Sequence, residues 1–127
     1  KLYNWYAVID SRGLCPVSWH IPNDFEWGML EKFLGGSNIA GGKMKTKIGW
    51  ESPNIDALNT SGFSGLPGGY KDGGGSFADI GTSAFWWSQS DVNSKLTWYQ
   101  LVYYFGKLMR HHSQNNHFGL SVRCLKD

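Results

Sequence analysis

A chain of 127 residues with a net charge of +2 and only 17% charged residues is long enough to bury a core and too weakly basic to argue for a nucleic-acid partner. No run reaches the roughly 18 apolar residues of a membrane-spanning helix, so no direct membrane insertion by this segment is expected. High aromatic content (16%) and 17 glycines describe short strands and many loops rather than a helical bundle.

The length predicts a single domain. The chain opens abruptly in LYNWYAV with no signal peptide in view, as a domain cut from a longer exported protein would. Residues 2–9 are rich in Tyr, Trp, Val and Ile and read as a first strand. A turn around Arg12 and Gly13 follows, then a short stretch carrying Trp19 and His20. The clearest local signal is PNDFEWGMLEKFLGG. Asn23 is a good N-cap, Glu26 stands where a capping box wants it, and Asp24 and Glu26 suit the positive end of the helix dipole. Trp27, Leu30 and Leu34 form a core-facing stripe, and Gly35-Gly36 ends the helix.

Residues 39–47 read as a short second helix from the spacing of Ala40, Met44 and Ile48, although Gly41-Gly42 weakens the pattern. Lys43, Lys45 and Lys47 read as a solvated charge run. Loop follows, anchored by Trp50, and then GFSGLPGGYK, whose glycines predict bends or close backbone approach. Residues 77–80 are a short strand, and 84–87 a buried one; if it is regular, one of the adjacent Trp86 and Trp87 should point in and the other out. Residues 97–105 are the longest β-type run, 107–112 its hairpin partner turning at Gly106, and 119–125 the last strand. Trp5, Trp19, Trp27 and Trp50 are expected as core or rim anchors.

Cys15 and Cys124 lie far apart, and neither belongs to a CxxC pair, which argues against zinc. One disulfide tying the chain ends in an oxidising compartment is the simplest reading; two buried free thiols are the alternative.

The blocks LYNWYAV, GLCPVSWHIPNDFEW, LGG followed by AGGKMK, SGFSGLPGGYKDGGGSF, FWWSQS and GLSVRCLKD closely resemble the Fibrobacter succinogenes major paralogous domain family, in order and over essentially the whole chain. That family is similar to the formylglycine-generating-enzyme branch of the C-type-lectin-like folds. The resemblance implies an α+β, C-type-lectin-like fold: short twisted antiparallel strands, one clear and one short helix, long loops, and paired N- and C-terminal strands. It also implies a Cys15–Cys124 bridge and an extracellular or cell-surface location in an exported, often lipid-anchored, bacterial protein. A looser resemblance links the tail to the variable proteins of diversity-generating retroelements, whose diversified segment is the C-terminal third; residues 99–118 have a composition that fits.

Nothing in the chain reads as an enzyme. The catalytic relatives use a close pair of late cysteines, whereas Cys124 has no neighbour. His111, His112 and His117 do not read as a metal site, because adjacent strand residues face opposite ways. The carboxylates sit in no catalytic motif, and the tripeptides of calcium-dependent lectins do not occur. No cofactor is expected.

A binding surface is expected instead, for an unknown protein or glycan ligand. Along residues 97–105, one face shows Trp98, Gln100, Val102 and Tyr104, the other Tyr99, Leu101, Tyr103 and Phe105. Periodicity alone buries the second set; the family pattern keeps a Trp at position 98 and varies the alternate positions, which turns that set outward. The expected contact residues are Tyr99, Leu101, Tyr103, Phe105, Leu108, Arg110, His112, Gln114, Asn115 and His117, a mixture of broad aromatic contact and adaptable hydrogen bonding. The competing reading makes Leu101, Tyr103 and Phe105 plain core and the chain a structural module of a surface lipoprotein with no ligand of its own.

Overall fold

A computed structural model describes residues 1–93 and 96–127. The elements in chain order are α1 (Trp5–Val8), β1 (Trp19–His20), α2 (Asp24–Phe33), α3 (Ser37–Met44), β2 (Gly68–Lys71), β3 (Phe77–Ile80), β4 (Ser83–Asn93), β5 (Leu96–Tyr103), β6 (Met109–Asn115) and β7 (Leu125–Lys126). The fold is α+β, with a five-stranded sheet in the order β3-β2-β4-β5-β6 and a two-stranded pair β1-β7. Of the strand pairs among the described residues, β2 with β4 is parallel and the others are antiparallel. Among the described residues no helix is long and apolar enough to cross a membrane.

The first predicted strand is a helix. Asn4 caps it, its side-chain oxygen accepting the Ala7 N–H at 3.1 Å. Trp5 and Val8, one turn apart, are both buried. Tertiary burial of an i, i+3 pair overrides the β-type composition. Strand pairing survives only at Tyr3, which bridges Leu120. The last predicted strand is likewise broken: Gly119, Leu120 and Ser121 make single bridges to Lys71, Tyr3 and Trp86, and regular pairing resumes only at β7 against β1. The terminal segments are thus paired, but through short contacts with several partners.

The α2 expectation holds in detail. Asn23 Oδ1 accepts the Glu26 N–H at 3.0 Å, and Glu26 Oε2 accepts the Asn23 N–H at 2.9 Å, the reciprocal capping box. Trp27 and Leu34 are buried.

The central sheet carries a core on each face. On one side Trp27, Leu34, Ala40 and Met44 from α2 and α3 pack against Ala84, Trp86, Val102 and Met109. On the other, Trp5, Val8, Ile21 and Leu120 pack against Phe85, Trp87 and Leu101. This corrects the expectation for the adjacent tryptophans. Trp86 and Trp87 do face opposite ways, yet both are buried, because from Ser83 to Ser88 β4 is covered on both faces. Trp87 Nε1 donates to Tyr3 O at 2.7 Å, fixing the chain start to the sheet. Cys15 and Cys124 form a disulfide across 109 positions, the bond of an oxidising compartment.

Candidate functional site

The β5–β6 hairpin forms one edge of the large sheet. Its register pairs Tyr99 with His112 and Leu101 with Arg110, and β4 places Trp87 beside Tyr99 and Phe85 beside Leu101. Directly paired residues share a face. Tyr99, Leu101, Tyr103, Arg110 and His112 therefore lie on one side of the sheet, as the alternation predicts. Trp98, Gln100 and Val102 lie on the helical side, with Gln100 and Val102 buried.

Sharing a face does not make that face open. Leu101 is 2% exposed, in the core with Trp5, Phe85 and Leu120, and this overturns its place among the outward contacts. The segment after β6 and helix α1 fold back over the sheet centre and cover it. Around this covered centre the rings emerge gradually. Tyr99 and Tyr103 are half-buried, Phe105 is 55% exposed, and Arg110 and His112 are exposed. The Tyr99 and His112 rings stack with centroids 5.9 Å apart. Tyr103 and Phe105 stack at 5.3 Å, and Tyr104 meets Phe105 edge-on at 5.1 Å. Phe85 backs Tyr99 at 5.7 Å. The result is an aromatic ledge whose roots are in the core and whose outer edges meet water. Burial, with Tyr103 and Tyr70 alongside, raises the Tyr99 phenol above its ordinary pKa, so it stays a neutral hydroxyl able to donate and accept.

Of the remaining predicted contacts, Gln114 shares the face of Tyr99 and His112, paired with Thr97 at its far end, and Leu108, Asn115 and His117 lie apart from the ledge. β5 spans roughly 23 Å from end to end at the usual strand rise, and His117 lies past the far end of β6 against Tyr6, ring centroids 5.4 Å apart. Gln114 and Asn115 are partly committed to the local chain: Gln114 Oε1 accepts the Asn115 N–H and Asn115 Oδ1 accepts the His117 N–H, both at 2.9 Å. Leu108 is half-buried where the hairpin turn meets α3. His111 points to the helical face, over Trp98 at 4.2 Å and with Nε2 3.2 Å from Asp24 Oδ1. His112 stacks on the opposite face, so the two adjacent histidines do not converge.

The residues that hold the ledge in place were missed at sequence level. Lys45 is not solvated but 0% exposed. Its Nζ donates to the carbonyls of Ile55 (2.8 Å), Tyr103 (3.0 Å), Tyr104 (3.2 Å) and Gly106 (2.8 Å), clamping the turn of the hairpin. Burial draws its pKa down to about 8, with Asp56 opposing, which leaves it a cation at neutral pH. Three like residues at spacing two mimic a solvated face; what marks Lys45 is its neighbourhood in AGGKMK. Gly41 and Gly42 let α3 meet the turn backbone to backbone, Gly42 N–H donating to Lys107 O at 3.1 Å. A Cβ on Gly41 would fall on the Leu108 carbonyl, and one on Gly42 would sit 2.6 Å from Asp56 O. The same glycines that weaken the helical pattern seat the helix.

No curated protein and no solved structure matches the chain. The family model for the Fibrobacter succinogenes major domain matches residues 1–126. With that match spanning the sheet, both cores, the disulfide and the hairpin, the chain belongs to the Fibrobacter succinogenes major domain family.

Proposed function

We propose that this chain is a non-catalytic recognition domain of the C-type-lectin-like kind. It sits on the outside of a bacterium or phage particle as part of an exported, lipid-anchored or secreted protein, and binds a protein or glycan through the aromatic ledge of the β5–β6 hairpin. One observation carries the reading: Tyr99 and Tyr103 stand with Arg110 and His112 on one sheet face, with Phe105 stacked on Tyr103, packed against the core at their roots and partly open to water. Stacked rings anchored at one edge offer broad contact at small entropic cost, and Arg and Tyr are the residue types that dominate binding energy. Half-exposed ring faces suit a sugar face as well as a protein side chain. If the tail is diversified by a retroelement, variation belongs at Tyr99, Tyr103, Phe105, Arg110 and His112 and is closed at Leu101, Val102 and Met109, which are buried.

The burial of Leu101 favours the competing reading of a purely structural module, and one variant separates the two. Wild type and the triple variant Tyr99→Ala/Tyr103→Ala/Phe105→Ala are screened side by side on a glycan array and on a panel of intact bacterial cells. Under the recognition reading, signals given by the wild type fall at least about tenfold in the triple variant, which keeps its circular dichroism spectrum. Equal signals from both proteins, or none from the wild type on either panel, leave the structural module standing.

A further inference from the structure

A recess of about 300 Å³ lies between α2 and the closing segment, walled by Trp27, Leu30, Phe63 and Leu125 beside the disulfide. It is separate from the ledge, and its wall is mostly aromatic and aliphatic. Its polar groups are few, and most are already engaged. Glu26 Oε1 lies 2.8 Å from His20 Nε2, and Oε2 accepts the Asn23 N–H at 2.9 Å. Ser61 Oγ donates to Lys43 O at 2.8 Å and accepts the Phe63 N–H at 3.1 Å.

Arg123 differs. Its guanidinium lies over the Phe63 ring at 4.4 Å, and among the described residues no carboxylate stands within ion-pairing distance of it. Contact with a ring face leaves the in-plane N–H donors of a guanidinium free. An exposed arginine held over a ring beside an apolar recess offers a guanidinium fork, and the partner a fork fits best is a planar anion.

We propose that this recess binds a small carboxylic acid with an aryl or branched-alkyl body, its carboxylate held by Arg123 and its body laid against Leu30, Phe63 and Leu125, with the buried Trp27 behind them. The volume is at the small end for ligand sites and suits roughly a dozen non-hydrogen atoms. Glu26, on the same wall, carries a negative charge offset in part by His20, whose Nε2 lies 2.8 Å from Oε1. The same chemistry is offered by a free acid and by the C-terminal carboxylate of an apolar residue in a peptide.

The test is an amide-and-indole NMR titration of the intact chain with phenylacetate, N-acetyl-L-phenylalanine and, as the uncharged control, phenylacetamide. Saturable shifts are expected at the Trp27 indole and the Phe63 and Cys124 amides, with a dissociation constant of about 1 mM for the better acid. The amide should bind about tenfold more weakly. Tighter binding of phenylacetate identifies a free acid as the ligand type, and tighter binding of N-acetyl-L-phenylalanine a peptide terminus. Arg123→Gln, at an exposed position, should weaken both acids about tenfold and leave phenylacetamide unchanged. Equal affinity for acid and amide, undiminished acid binding by Arg123→Gln, or shifts that never saturate would each overturn the proposal.

Discussion

The ammonium of Lys45 has exchanged water for four backbone carbonyls, three of them from the last residue of β5 and the turn that follows it. A buried cation is tolerated when its donors are all engaged, and removing it strands the acceptors it served. Lys45→Met, which keeps the length and apolar character of the stem, is expected to cost about 3 kcal/mol, read from urea unfolding midpoints. The loss should centre on the hairpin, with faster amide exchange from Tyr103 to Gly106. A Lys45→Met protein as stable as the wild type would mean that the four carbonyls do not depend on the lysine. Tyr99 and Leu101 show the same dependence on surroundings. They share a strand face, but one emerges at the ledge and the other is sealed under Leu120 and Trp5.

Among the elements, α3 is seated by absence of side chain. Gly41→Ala places a methyl group on the Leu108 carbonyl, where backbone and not a flexible side chain must move. Overpacking of this kind is expected to cost about 3 kcal/mol, roughly a 10 °C fall in melting temperature; a fall under about 2 °C would show that the turn yields freely. The β1–β7 pair is held differently. His20 Nδ1 lies 2.6 Å from Asp127 Oδ1 and Nε2 lies 2.8 Å from Glu26 Oε1, joining β7 to α2. These two carboxylates, Asp127 first, raise the His20 pKa above its ordinary value. A raised folded-state value means that this link contributes fully below about pH 6.5, the unfolded value. It is lost as pH climbs through the folded value. Wild-type melting temperature should therefore decline on the alkaline side of pH 6.5, and His20→Gln should lack that part of the decline. Parallel curves for the two proteins would rule the link out as a source of pH dependence.

At the scale of the whole molecule, one sheet is enclosed by two cores, and a single covalent bond draws its distant ends together. Closing a loop of 109 positions restricts the unfolded chain, and the double variant Cys15→Ser/Cys124→Ser is expected to lose about 4 kcal/mol, measured against wild type by chemical denaturation. Much of this plan was legible beforehand. The capping box at Asn23 and Glu26 gave α2 to within a residue, and the break at Gly106 between β-type runs gave the hairpin. The family resemblance gave the pairing of Cys15 with Cys124. Strand alternation also put Tyr99, Leu101 and Tyr103 on one face; that Arg110 and His112 join them came from the β5–β6 register. Which residues of that face reach water was not legible, because that depends on where α1 and the segment after Asn115 come to rest.

The local order of bonds and periods was enough to determine the strongest helix, the alternation of β5 and the hairpin that follows it, because each depends on residues a few positions apart. Tertiary structure alone decided that residues 5–8 coil, that Leu101 is sealed in while Phe105 is not, and that Lys45 is an interior clamp. In each case the deciding partner lies far along the chain: Asn116 O accepts the Trp5 N–H, Leu101 is buried in one cluster with Trp5 and Leu120, and the carbonyls of Tyr103, Tyr104 and Gly106 accept from Lys45. Desolvation depends on what closes over a side chain, and pattern along the sequence carries no record of that.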